Sequence, residues 1–177
     1  MKRFQVSNKF STRKGRDTLK ETLKAAKQKM KNESRPYNTY SYYLTLPIIY
    51  IVLLVLSFLG FDIGRTVGNV LFVLTIFAHI GAGKLKLISK RKHVAPSLLY
   101  AANIISLLLI PLLLFDLTSG GAGDTYFGLL GLVVLPIQIL MIVFFFISAN
   151  DIKKAYPTMK EDAKSSREEY LMAKKSK

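Results

Sequence analysis

Four stretches of the chain are apolar on every side of a helical wheel: residues 44–61, 66–83, 94–115 and 126–148. A helix of that pattern cannot present one face to water and one to a core, so it belongs in hydrocarbon. At about 1.5 Å rise per residue, roughly 20 residues cover the ~30 Å of a bilayer interior, and each stretch fits that length. The pattern therefore predicts an all-α, polytopic membrane protein with a four-transmembrane-helix bundle over residues 44–148.

Polar positions set the ends. Residues 1–40 form a basic arm, in which Thr18 and Glu21 have the form of a capping box and Leu19, Leu23, Ala26 and Met30 recur at helical spacing. These predict a short amphipathic helix over 19–31, ended by Asn32, Ser34, Arg35 and Pro36. Tyr37, Tyr40, Tyr42 and Tyr43 precede the first span, as expected of rings at head-group level. Residues 149–177 form a mixed-charge tail with a second short helix over 159–174, opened by Pro157, Thr158 and Glu161. Gly60, Gly64 and Gly68 have the spacing of a doubled small-xxx-small contact pattern, but Asp62 and Arg65 interrupt it, so Gly64 is expected in a tight turn between spans one and two. The DLTSGGAGDT loop, residues 116–125, reads as a flexible turn, since its acids and missing Lys exclude a phosphate cradle.

Charge orients the bundle. Of the 26 Lys+Arg, the arm holds 12, the loop 84–93 holds 5 and the tail holds 8. The two remaining connections hold Arg65 alone, against Asp62, Asp116 and Asp124. The positive-inside rule then places both termini and the middle loop in the cytoplasm, with the cell membrane as the expected location. Residues 1–16 are basic and free of acids, which keeps the mitochondrial inner membrane as an alternative. Lys84, Lys86, Lys90, Arg91 and Lys92 are candidate contacts to anionic lipid head groups.

Candidate chemistry is sparse. There is no Cys, only His79 and His93 as histidines, and no Asp or Glu inside any span. Intramembrane hydrolysis and proton-coupled transport normally need such acids, so no catalytic residue, metal or cofactor is expected. On span two, Arg65, Gly68, Asn69, Phe72, Thr75, Ile76, His79 and Gly83 share one face within about 120° and predict an inward stripe. Thr75, Asn103 and Gln138 fall at the midpoints of spans two, three and four, which predicts a polar layer at one depth. Pro47, Pro111 and Pro136 are expected to bend their spans.

The function these features favour is a small non-catalytic integral membrane protein acting through protein or lipid contacts. An accessory subunit, assembly factor or immunity (self-protection) protein fits that description. The alternative is a small oligomeric transporter or channel built around the polar layer. The expected partners are anionic lipid and a membrane protein or a second copy. Nucleic acid is not expected, because the basic arm has no readable motif and few aromatics.

Overall fold

The computed structural model describes residues 4–61, 65–121 and 123–175, and the side chains of 4–17 and of Arg65 lie outside that description. Every element among the described residues is helical. In chain order they are α1 (Phe4–Phe58), α2 (Arg65–Gly83), a 3₁₀ turn (Lys90–His93), α3 (Val94–Leu108), α4 (Ile110–Thr118), α5 (Asp124–Leu129), a π turn (Leu130–Val134), α6 (Leu135–Ala155) and α7 (Met159–Lys175). Four helical segments are long and apolar enough to cross a membrane: within Thr18–Phe58, at Thr66–Gly83, within Lys90–Thr118 and within Asp124–Ala155. The protein is thus an all-helical, multi-pass membrane fold with a four-helix bundle. Large side chains that face outward from it, such as Phe58 at 72 % and Leu132 at 74 % exposure, are compatible with lipid and not with water.

The chain divides into two compact units. In the bundle, residues 38–155, the buried residues cluster at the end that carries the middle loop. From α1 these are Thr39, Tyr43 and Leu46; from α2, Thr75, Ala78 and Ala82; from α3, Ala95, Leu99 and Ala102; from α6, Met141, Phe145 and Ile152. Small residues on α2 and α3 let backbones approach, which is how helices gain contact where no hydrophobic drive separates protein from lipid. A Cβ on Gly81 would lie 2.7 Å from the Thr39 hydroxyl, so any larger residue where α1 and α2 meet would force Thr39 to shift. Toward the opposite end the packing thins, and Leu107, Leu108, Leu114 and Phe115 all face outward.

The prolines act unequally. Pro111 cannot donate to Leu107, and span three breaks into α3 and α4 at Leu109, whose N–H reaches Ile105 O at 3.0 Å. Span four widens into the π turn just before Pro136. Pro47 is buried inside α1 without interrupting it. The glycine loop, read as flexible, is closed by Asp116: its carboxylate accepts the N–H groups of Thr125 at 3.1 Å and Tyr126 at 3.3 Å. Gly123 takes φ 83° to make that return, which favours glycine there. Helix α5 accordingly begins at Asp124, earlier than the expected start of span four.

The second unit comprises residues 1–37 and 156–177. Leu19, Leu23, Ala26 and Met30 line the least exposed side of α1 here, and α7 supplies Met159, Ala163, Ser166 and Tyr170 at matching spacing. Lys29 Nζ donates to Glu169 Oε2 at 2.6 Å, and that bond raises the Lys29 pKa. The apolar stripe of residues 19–31 is therefore spent on α7. The expected stop at Asn32–Pro36 is also absent, because α1 runs unbroken through Pro36. A stop signal acts locally, whereas α1 is held by packing on both sides of it, at Ala26 in one unit and at Thr39 and Tyr43 in the other. Helix α7 matches the tail helix expected from sequence.

Candidate functional site

The polar groups gather around the middle loop, not at mid-membrane. Leaving α2 at Gly83, the chain turns Leu85 and Ile88 inward, at 3 % and 8 % exposure, and leaves Lys84, Lys86 and Leu87 outside. Ser89 Oγ then caps the 3₁₀ turn by accepting the Arg91 N–H at 3.2 Å. Arg91 O accepts the Val94 N–H, but Lys92 O stands four residues before Pro96, which has no N–H to give it, and must find a donor elsewhere.

Donors come from two different spans. The Tyr43 hydroxyl on α1 donates to Lys92 O at 2.6 Å, and Ser148 Oγ on α6 reaches Arg91 O at 3.4 Å. The Tyr43 ring stands edge-on to Phe145 with centroids 5.1 Å apart, fixing the hydroxyl's position. The Lys92 ammonium turns back to the Leu85 carbonyl and closes the loop on itself. Lys92 is thus buried, and its reading as a head-group contact is corrected: the turn that exposes Lys90 and Arg91 carries the next side chain underneath. Lys84, Lys86, Lys90 and Arg91 stay exposed, with no ion-pair partner among the described residues.

Beside this loop lies a hydrogen-bonded chain of three side chains. His79 Nδ1 meets the Tyr100 hydroxyl at 3.1 Å, and His79 Nε2 meets His93 Nδ1 at 2.8 Å. The rings are tilted, with centroids 5.7 Å and 5.0 Å apart respectively. Tyr100 also stands edge-on to Phe72 at 5.8 Å. Spans two and three and the 3₁₀ turn are therefore joined through His79. No carboxylate takes part, and no group of three metal-ligating side chains forms among the described residues.

The expected mid-membrane layer does not assemble. Thr75 Oγ1 donates to Leu71 O at 2.9 Å and Asn103 Nδ2 to Leu99 O at 2.8 Å, each one turn back on its own helix. Such back-bonding satisfies the side chain within its own helix, although the Tyr50 hydroxyl of α1 also comes to Thr75. Thr75 is buried, whereas Asn103 faces outward. Gln138 lies half-buried with no hydrogen bond among the described residues. It lines an open groove of about 320 Å³ with Tyr50, Leu53, Leu54, Ser57, Phe58 and Leu135. The inward face of α2 is Leu71, Thr75, Ala78 and Ala82, about a quarter turn from the expected stripe. Asn69 and Gly68 are consequently exposed, near the end of the span where water is within reach. The side chain of Arg65 lies outside the described residues, as does the turn residue Gly64.

Sequence reasoning missed Tyr43, Tyr100, His93 and Ser148 as members of the site. One signal was available for Tyr43. Thr39, Tyr43, Leu46 and Tyr50 recur at i, i+4, i+7 and i+11, the spacing of a buried seam, which sets Tyr43 apart from its neighbour Tyr42. No family model, curated protein or solved structure matches the chain.

Proposed function

We propose that the chain is a small, non-catalytic integral membrane protein that acts by contact, binding another membrane protein through the open half of its bundle. The observation that carries this reading is Gln138. Its amide has no partner among the described residues, in a groove at membrane depth that also presents Tyr50 and Ser57. A polar group exposed to hydrocarbon needs a hydrogen-bond partner, and a partner helix supplies one. The Tyr43 hydroxyl and the Lys92 ammonium at the other end are meanwhile engaged with backbone carbonyls, and the chain His93–His79–Tyr100 includes no carboxylate among the described residues.

The charge balance supports a companion role for the loop. Lys84, Lys86, Lys90 and Arg91 form an exposed basic rim that suits anionic lipid or an acidic partner segment, with both termini and the loop in the cytoplasm. The accessory, assembly and self-protection roles all fit this reading. Purification in mild detergent tests it. We expect a stoichiometric membrane-protein partner that is lost from the Gln138→Leu protein. A homo-oligomer that passes ions in liposomes, and does so equally well as the Gln138→Leu variant, would replace this reading by a channel.

A further inference from the structure

We propose that the His79–His93 hydrogen bond is an acid-released latch holding the end of span two to the 3₁₀ turn of the basic loop. The inference is independent of what the loop contacts. It begins from the nitrogens that face each other, His79 Nε2 and His93 Nδ1, at 2.8 Å. A bond between two imidazole nitrogens requires one N–H and one lone pair. Tyr100 serves either arrangement, because its hydroxyl, 3.1 Å from His79 Nδ1, can donate to that nitrogen or accept from it.

Adding protons one at a time gives two different results. A first proton makes one ring an imidazolium whose N–H is donated across the 2.8 Å contact to the lone pair of the other. The bond survives and gains charge assistance. A second proton, on the nitrogen that had been accepting, removes the last lone pair and sets two N–H groups and two positive charges face to face. The bond then breaks. The two imidazoles titrate as a pair, so release belongs to the second step of that pair.

The surroundings sharpen the step. The 3₁₀ turn carries the Lys92 cation next to His93, with Lys90 and Arg91 exposed on the same turn. From α3 the facing group is Tyr100. Tyr43 reaches the turn from α1 and Ser148 reaches it from α6, each through a backbone carbonyl. Neither imidazole has a carboxylate within ion-pair distance among the described residues, so nothing there offsets the second charge. Tyr43 and Ser148 hold Lys92 and Arg91 whatever the proton count. The Lys92 ammonium still ties Leu85 to the turn, so within Gly83–Ser89 the freedom gained on release shows at the exposed positions Lys86 and Leu87.

Two measurements on the full chain test this. The chain has only two histidines, so nitrogen-15 histidine labelling reads the pair directly. A scalar coupling between nitrogens of the two rings is expected near pH 7.5 and is expected to vanish once acidification has protonated both rings. Absence of the coupling near pH 7.5, or its persistence once both rings are protonated, overturns the latch. The chain also has no Cys, and Leu87 is 70 % exposed without a hydrogen bond, so Leu87→Cys gives a single spin-label site. The label is expected to become more mobile over the same acidification, and to lose that response when His93→Gln is added. An equal response with His93→Gln overturns the proposal.

Discussion

The hydroxyl of Tyr43 donates to the backbone carbonyl of Lys92 at 2.6 Å, joining the start of span one to the loop between spans two and three. The carbonyl stands four residues before Pro96, which has no N–H to give it, and Tyr43 is fully buried. Tyr43→Phe keeps the ring against Phe145 and removes only the donor. The expected cost is about 1–3 kcal/mol, that of an orphaned buried acceptor. Tyr43→Ala also empties the ring's place and should cost about 3–5 kcal/mol. Reversible unfolding in detergent, comparing both variants with the parent, measures the difference.

The crossing of α1 and α2 makes a second test. Gly81→Ala would place a methyl 2.7 Å from the Thr39 hydroxyl, and Thr39 is buried at 2 % exposure. Overpacking of this kind costs about 1–3 kcal/mol. Shortening Thr39 to Ala makes room, so the double variant should be less destabilised than the sum of the two singles. A double-mutant cycle with coupling of about 0.5 kcal/mol or more is expected, and strict additivity would mean that the two residues do not touch.

The hydropathy pattern makes the spans legible because length and apolarity are properties of each segment alone. It places span two at 66–83, which is α2, Arg65–Gly83, and the tail helix at 159–174, which is α7, Met159–Lys175. Facing is less legible. Polarity and small size point Asn69 and Gly68 inward, but α2 turns Leu71, Ala78 and Ala82 inward instead, and its polar end looks outward. Which small residues pack is decided by the partner helix, and no single segment records that. The same holds for His79, whose partners Tyr100 and His93 are distant by 21 and 14 positions. Pro36 is the converse case: a strong local stop signal outweighed by packing on either side.

The five basic residues of the loop should separate into two behaviours. Lys84, Lys86, Lys90 and Arg91 are exposed, so replacing each with Gln should leave unfolding unchanged and weaken association with anionic vesicles. Each is expected to contribute about 1 kcal/mol near the surface, less when screened by salt. Lys92 is buried with its ammonium on the Leu85 carbonyl. Lys92→Met should therefore lower stability by about 1–3 kcal/mol and leave vesicle binding nearly unchanged. Vesicle flotation at two salt concentrations, beside an unfolding measurement, distinguishes the two groups.

Asn103 and Gln138 should part in the same way. Asn103 Nδ2 is satisfied by Leu99 O on its own helix, so Asn103→Leu removes a bond that joins nothing to anything else. Its effect on stability should stay within about 1 kcal/mol, the range of single intramembrane hydrogen bonds. Gln138→Leu also deletes no internal bond, and the isolated protein should unfold as before or slightly later, since an unpaired amide leaves hydrocarbon. Their difference lies in association. Gln138 stands in the groove with Tyr50 and Ser57, whereas Asn103 faces outward on α3. A pull-down from membranes should lose the partner with Gln138→Leu and retain it with Asn103→Leu. Equal loss with both would mean that the partner reads the polarity of the bundle surface at large and not the groove.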